Sequence, residues 1–163
     1  PVYHLHDIYT PLHTWCTLSI RPAGLPKRLE TKALIVAVSD ENKFSAKGGT
    51  FSNGWITTRI RDFGRYSVAV DTVPPVIKAM NISPGKKITA QSSILVMISD
   101  NLSGIKTYRG TLNGRWILMD YDEKNRLLSY KVDDRTKPGK NAFVLTVTDA
   151  CGNSAKYEAN LVR

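Results

Sequence analysis

The chain has 163 residues, 42% of them hydrophobic, and its 23 Lys and Arg against 14 Asp and Glu give a formal net charge of +9. This hydrophobic content suffices for packed cores and excludes wholesale disorder. No apolar run approaches the about 20 residues of a membrane-crossing helix, so we expect no membrane span. The cations are scattered in ones and twos rather than in a stripe, so we expect no nucleic-acid partner.

The chain opens with PVYHLHDIYTPLHTW, which contains three histidines and lacks both an initiator Met and a signal-peptide pattern. We therefore expect a piece cut from a longer protein. His4 and His6 alternate as they would on one face of a β-strand, and we interpret this stretch as a surface edge strand.

Strand patterns dominate the rest of the first half. Residues 15–20, 55–60 and 65–70 alternate between apolar and polar, whereas 33–38 (ALIVAV) is a continuous aliphatic run typical of a central strand covered on both faces. The only helical pattern is the short stretch 26–33. Two Asn-Gly pairs, at 53–54 and 113–114, predict tight hairpin turns because both residue types tolerate positive φ.

The second half continues in the same style after a double proline. Pro74 and Pro75 cannot donate to a sheet ladder, so they predict a boundary between a first domain, 1–72, and a second, 73–163. The second domain's predicted strands are 76–82, 93–99, 105–112, 115–121, 126–132, 142–148 and 155–162.

Several stretches of the second half resemble bacterial immunoglobulin-like domains: DTVPPVI (71–77), SDNLSGI (99–105) and TDACGNSA (148–155). The run GTLNGRWILMDYDEKNRLLSYKVDD (110–134), with KALIVAV and RDFGRYSVAVDTVPP before it, resembles the non-catalytic C-terminal region of Gram-negative lysostaphin-type zinc metallopeptidases. In that family, tandem β-sandwich domains follow a domain that cuts peptidoglycan. The resemblance implies an all-β fold of two immunoglobulin-like β-sandwich domains in tandem, exported to the cell envelope.

The lysostaphin-type catalytic site uses an HxH motif, which His4 and His6 match in form. That site also needs an earlier His-x-x-x-Asp, yet only three residues precede His4. Catalytic zinc takes three protein ligands and a water, so His13 would have to fold back as the third ligand, and Asp7 is predicted to point to the opposite face. We expect no metal site, no cofactor and no catalytic residue in this chain.

Other reactive groups have simpler interpretations. Cys16 and Cys151 belong to no CxxC pair and fall in different predicted domains, so we expect two free thiols. The carboxylates at 120, 122 and 123 lie in a predicted turn, where they cap their own backbone rather than form a glycosidase pair.

A calcium site is a further alternative. Two turns offer oxygen ligands, Asp100, Asn101 and Ser103 in one and Asp149 and Asn153 in the other. Capping of these turns by the two aspartates is the interpretation we favour, because no EF-hand spacing is present.

One surface is a candidate binding site. If Asn113-Gly114 is a two-residue turn, Thr111 lies opposite Trp116, and the face directed away from the core carries Arg109, Thr111, Trp116 and Leu118. A Trp beside an Arg is suited to stacking on a sugar or a partner protein. A register slip of one residue would exchange the two faces.

These inferences favour a non-catalytic accessory or positioning module, the C-terminal part of a cell-envelope peptidoglycan metalloendopeptidase. Its expected partners are the upstream catalytic domain and peptidoglycan or another envelope glycan. The alternative is a stand-alone bacterial surface adhesin or carbohydrate-binding protein. An enzyme within these residues is the third option.

Overall fold

The computed structural model describes residues 1–89 and 92–163, and it is all-β, as the sequence predicts. The chain forms two compact units. Unit 1 contains Pro1–Val73 together with two short segments, Leu102–Gly104 and Ala150–Gly152; unit 2 contains the remaining residues from Pro74 onward. Within the described residues, no helix combines the length and the apolarity needed to cross a membrane.

Unit 1 is a sandwich of two antiparallel sheets. Their strand orders are β1-β7-β3-β4 and β2-β6-β5. A 3₁₀ turn, Lys27–Lys32, replaces the predicted short helix. The strands are β1 (Val2–Leu5), β2 (Cys16–Ile20), β3 (Ala33–Val38), β4 (Phe44–Gly48), β5 (Thr50–Ser52), β6 (Trp55–Ile60) and β7 (Gly64–Val70).

Strand β3 is covered on both faces, as its continuous aliphatic sequence predicts. Ile35 belongs to the cluster between the two sheets of unit 1, which also buries residues of β2, β6 and β7. Leu34 and Val36 belong to a second cluster on the opposite face. That cluster contains Cys151 and Leu102, from the two short segments that complete unit 1.

Tyr66 has the arrangement called a tyrosine corner, which occurs in immunoglobulin-like sandwiches. It lies near the start of β7, and its buried side chain donates a hydrogen bond from the hydroxyl to the backbone oxygen of Asp62 at 2.6 Å. Burial, reinforced by the nearby Asp62 carboxylate, raises the pKa of Tyr66 to about 12. The phenol therefore stays neutral well into the alkaline range.

Unit 2 is a second sandwich, with antiparallel strand orders β11-β10-β14-β15 and β12-β13-β9-β8. Its core is one cluster of aliphatic and aromatic side chains contributed by both sheets. The strands are β8 (Val76–Ala79), β9 (Ser93–Ser99), β10 (Ile105–Leu112), β11 (Arg115–Ile117), β12 (Asp120–Asp122), β13 (Leu127–Lys131), β14 (Lys140–Asp149) and β15 (Ser154–Val162).

The stretch 115–121, predicted as one strand, divides between the two sheets of unit 2. Its first part, β11, pairs with β10, and its second part, β12, pairs with β13. Ile117 and Met119 are buried, and Tyr121 packs against the same core. Every second side chain from Ile117 to Tyr121 thus faces the core on both sides of the change of sheet. The sequence pattern alone therefore does not reveal that the strand is divided.

Candidate functional site

The candidate surface is built on the hairpin formed by β10 and β11. Leu112 pairs with Arg115 and Thr111 pairs with Trp116, the register that the Asn-Gly turn predicts. Asn113 and Gly114 have φ values of 52° and 76°, which is the left-handed pair required by a type I′ turn.

The turn is fastened to β14 by a buried amide network. The Asn113 side chain donates from Nδ2 to Asn141 Oδ1 at 2.9 Å and accepts from the backbone N of Ala142 at 3.0 Å. Asn141 is 0% exposed and donates to the backbone oxygens of Lys137 at 2.8 Å and Gly139 at 3.0 Å. The hairpin that carries Trp116 is therefore held on a rigid part of the scaffold.

Three of the four predicted site residues lie on the outer side of this hairpin. Thr111 lies directly opposite Trp116, and Arg109 is two residues further along β10 on the same side. Trp116 is 50% exposed, Arg109 is exposed and Thr111 is partly buried. Leu118 follows the end of β11 and is 66% exposed, but it has no cross-strand partner on the hairpin.

This outer surface continues across β14 and β15. On β14, Val144 lies opposite Thr111 and Thr146 lies opposite Arg109. On β15, Glu158 lies opposite Val144 and Lys156 lies opposite Thr146, and these two residues form an ion pair with each other. This outer face thus has an aromatic and aliphatic part near β11, with Arg109 on β10 and the Glu158–Lys156 pair on β15.

A shallow depression of about 490 Å³ adjoins Trp116. It is lined by Arg115, Trp116, Asp134 and Arg135. The sequence does not point to Asp134 and Arg135, because they come from the loop after β13 and only the fold brings them next to Trp116. Their signal in the sequence is no more than a short charged stretch in a loop.

Arg135 is oriented by Asp133, which accepts hydrogen bonds from the Arg135 guanidinium and from the Tyr130 hydroxyl. Desolvation acts to raise the pKa of Asp133, but these hydrogen bonds outweigh it and the pKa lies below its ordinary value. The pKa of Tyr130 is raised to about 12, mainly by burial and then by its bond to Asp133. Asp133 is thus ionised at neutral pH and holds Arg135 beside Trp116.

The histidines do not share one face of a strand, contrary to the prediction. Strand β1 ends at Leu5, so only His4 belongs to it, and His6 has a φ of 55°. His6 stacks on Phe63, with 4.8 Å between ring centroids, and its Nδ1 accepts from the backbone N of Asp7 at 2.6 Å. Among the described residues, no histidine belongs to a group of three or more potential metal ligands within 4.8 Å.

Two of the aspartates discussed above are engaged by their own turns. Asp149 is buried and accepts from the backbone N and the side-chain Nδ2 of Asn153 at 2.8 and 2.7 Å. Asp122 accepts from the backbone N and Nδ2 of Asn125 at 3.1 and 2.7 Å, and these bonds lower its pKa. Both carboxylates act as turn caps.

Neither Cys16 nor Cys151 forms a disulfide. Cys16 is partly buried in β2, and Cys151 is buried in the second cluster of unit 1. The expectation that they fall in different domains is wrong, because the segment Ala150–Gly152 belongs to unit 1. Cys151 is tied to Lys32, whose Nζ donates to the Cys151 backbone oxygen at 2.9 Å.

Comparison with protein families gives one match, which covers less than half of the chain. Residues 1–71 match the family model of the Zu5-like domain. No curated protein matches this chain.

Two solved structures resemble the whole or most of the chain. The fibronectin(III)-like modules of Clostridium thermocellum CbhA have 12% identity and a TM-score of 0.42, over 99% of this chain and 93% of that one. Dimeric latent PorU from Porphyromonas gingivalis has 12% identity and a TM-score of 0.47, over 82% of this chain and 19% of that one. At these values the likenesses concern strand arrangement and carry no functional argument.

Proposed function

We propose that this chain is a non-catalytic accessory module that extends, positions or anchors an attached cell-envelope enzyme, a peptidoglycan metalloendopeptidase. The observation that carries the proposal is the exposed outer face of the β11-β10-β14-β15 sheet, with a half-exposed Trp116 on a hairpin fastened by Asn113 and Asn141. A sheet face with an exposed indole suits adhesion to another surface, whereas catalysis favours a concave site.

The proposed partner of this face is peptidoglycan, another envelope glycan, or the upstream catalytic domain. Trp116 and Leu118 offer apolar area, while Arg109 and Thr111 offer hydrogen bonds beside it. The net charge of +9 would add a long-range attraction to an anionic envelope, which salt weakens. The peptidase association rests on the resemblance of the run 110–134 to the non-catalytic region of lysostaphin-type metallopeptidases. In the first half, KALIVAV and RDFGRYSVAVDTVPP resemble the same region.

The gene sequence upstream of Pro1 tests the attachment. A His-x-x-x-Asp motif followed by a second HxH would support the accessory module, since these motifs supply the zinc ligands of the lysostaphin-type catalytic site. A signal peptide directly before Pro1 would contradict it and support the runner-up, a stand-alone surface adhesin or carbohydrate-binding protein. The half-exposed Trp116 is compatible with both functions.

Where the upstream domain is present, deletion of this chain from the parent protein tests positioning. We expect cleavage of small peptidoglycan fragments to be unchanged, because the catalytic groups remain. Cleavage of intact peptidoglycan should fall, because the enzyme loses its anchor. An equal loss on both substrates would instead indicate that the module merely stabilises the catalytic domain.

A further inference from the structure

The outer side of the β2-β6-β5 sheet in unit 1 forms a second exposed surface, which we name the β2–β6 face. Ile56 and Ile60 of β6 point into the core, so the alternate residues Trp55, Thr57 and Arg59 point outward. Trp55 is 44% exposed, and Thr57 and Arg59 are exposed.

One end of the β2–β6 face carries an indole flanked by two guanidinium groups. The Arg59 and Arg61 Cζ atoms lie 5.3 and 5.7 Å from the ring centroid of Trp15, which is 50% exposed. Each distance is within the range of a cation–π contact. The shared ring holds two like charges close together, and this arrangement attracts an anion.

The β2–β6 face carries three arginines, Arg21, Arg59 and Arg61. Among the described residues, no carboxylate lies within ion-pair distance of Arg21, Arg59 or Arg61. Asp62 follows Arg61 in the chain, but it is engaged by Lys47, with 2.9 Å between Nζ and Oδ2. An anionic partner would therefore supply the missing countercharges.

Hydroxyl groups occupy the middle of the face, and a second indole lies at its far end. Ser19 and Thr57 are cross-strand partners whose hydroxyl oxygens are 2.9 Å apart. At about 3.4 Å per residue, Trp55 and Arg61 are about 20 Å apart along β6. A cavity of about 430 Å³ between the edge strands β1 and β2 of the two sheets reaches Arg21 and Trp55, but its lining includes the core residues Ile20 and Tyr66, so it is not part of the outer face.

We propose that the β2–β6 face binds an acidic polysaccharide. The indoles at its two ends would stack on sugar rings, the central hydroxyls would bond sugar hydroxyls, and the arginines would pair with carboxylates. A nucleic acid fits less well, because a strand carries one phosphate about every 3.4 Å in a duplex and only three arginines are spread over this length. A polymer with fewer, spaced charges matches the face.

This inference goes beyond the proposed function, since it concerns another unit and does not involve Trp116. An acidic polysaccharide could be bound by an accessory module or by a stand-alone surface protein. The two proposals can therefore fail separately.

The test measures binding of the whole chain to polygalacturonate, with neutral dextran and oligothymidylate as comparison polymers at one ionic strength. We expect polygalacturonate to bind most tightly. The double substitution R59Q/R61Q should weaken that binding at least about tenfold, since each charge-assisted hydrogen bond contributes more than a neutral one. Trp15→Ala should weaken it as well, through loss of stacking.

A matched control is K27Q/R28Q, which removes two exposed cations from the 3₁₀ turn of the same unit. We expect it to change the affinity less than about twofold, the small effect of distant exposed charges. Equal losses in the two double variants would overturn the proposal, because net charge alone would then explain binding. Absence of polygalacturonate binding, equal binding of dextran, or tighter binding of oligothymidylate would overturn it too.

Discussion

At the scale of single residues, Asn141 is the clearest structural determinant of the candidate surface. Its amide accepts from the backbone N of Lys137 and from Asn113, and it donates to the backbone oxygens of Lys137 and Gly139. All of its hydrogen-bonding atoms are used inside the protein, where water cannot replace a lost partner.

Substitution of Asn141 by Ala should therefore lower the free energy of unfolding by roughly 2–4 kcal/mol, because several buried polar groups lose their partner at once. Chemical denaturation measures this loss. Asn160→Ala, at an exposed position, is the control and should change stability by less than about 0.5 kcal/mol. Similar effects of the two substitutions would contradict the role of the network.

The second residue-scale prediction concerns Tyr66 and alkaline pH. Its folded-state pKa of about 12 lies above the ordinary value of 10.0. The contribution of neutral Tyr66 to the free energy of unfolding is therefore fully present below pH 10. It falls by about 2–3 kcal/mol as the pH rises towards about 12. Denaturation midpoints measured across this range should fall more steeply for the wild type than for Tyr66→Phe. Identical slopes would show that Tyr66 does not titrate in this way.

At the scale of elements, a glycine faces the stretch where 115–121 passes from one sheet of unit 2 to the other. A Cβ at Gly110 would lie 2.7 Å from Met119 Sδ and 3.1 Å from Ile117 Cγ1. Gly110 pairs with Ile117 at the end of β11, just before the chain crosses to the other sheet of unit 2. The missing side chain at Gly110 thus leaves room for the Met119 side chain in the core.

Gly110→Ala should destabilise unit 2 by about 1–3 kcal/mol, the usual effect of overpacking a core. Met119→Ala removes the atoms in conflict, although it leaves a cavity of its own. In a double-mutant cycle, the combined loss should consequently be smaller than the sum of the single losses. Additive losses would show that Gly110 and Met119 are not coupled.

Much of the element pattern could be predicted from the sequence. The aliphatic run 33–38 and the strand 105–112 have the predicted bounds, and both Asn-Gly pairs form positive-φ turns. The sequence does not predict β4, whose Ser, Ala, Lys and Gly residues have weak strand propensity, or β5, which is only three residues long. Strand β8 ends at Ala79, before the predicted residue 82.

Each Asn-Gly pair is followed closely by a Trp-Ile pair, at 55–56 and 116–117, but the two Trp-Ile pairs are not equivalently placed. Trp55 pairs with Ser52 next to its turn, whereas Trp116 is one residue further from its own turn. Both indoles are nevertheless exposed and both following isoleucines are buried. The sequence could predict the candidate surface around Trp116 from its turn. It could not predict that Arg59 and Arg61 meet Trp15, because this contact depends on the pairing of β2 with the distant β6.

At the scale of the whole molecule, the chain presents broad exposed faces on two β-sandwich units, and each face includes a half-exposed indole beside basic groups. The candidate surface around Trp116 belongs to unit 2, and the β2–β6 face belongs to unit 1. The predicted boundary at 72–73 remains a prediction about independent folding. Unit 1 also uses Leu102 and Cys151, which a fragment ending at residue 72 would lack.

The most direct test incubates the chain with zinc and purified peptidoglycan, sediments the polymer, and measures both bound protein and released fragments. We expect the chain to sediment without releasing fragments, and Trp116→Ala to lower binding about fivefold or more, as expected for an interface residue worth over 1 kcal/mol. Phe44→Ala, another exposed aromatic position, should bind as the wild type does. Released fragments, or a Trp116→Ala variant that sediments like the wild type, would show that the chain is not a non-catalytic module that binds glycan through Trp116.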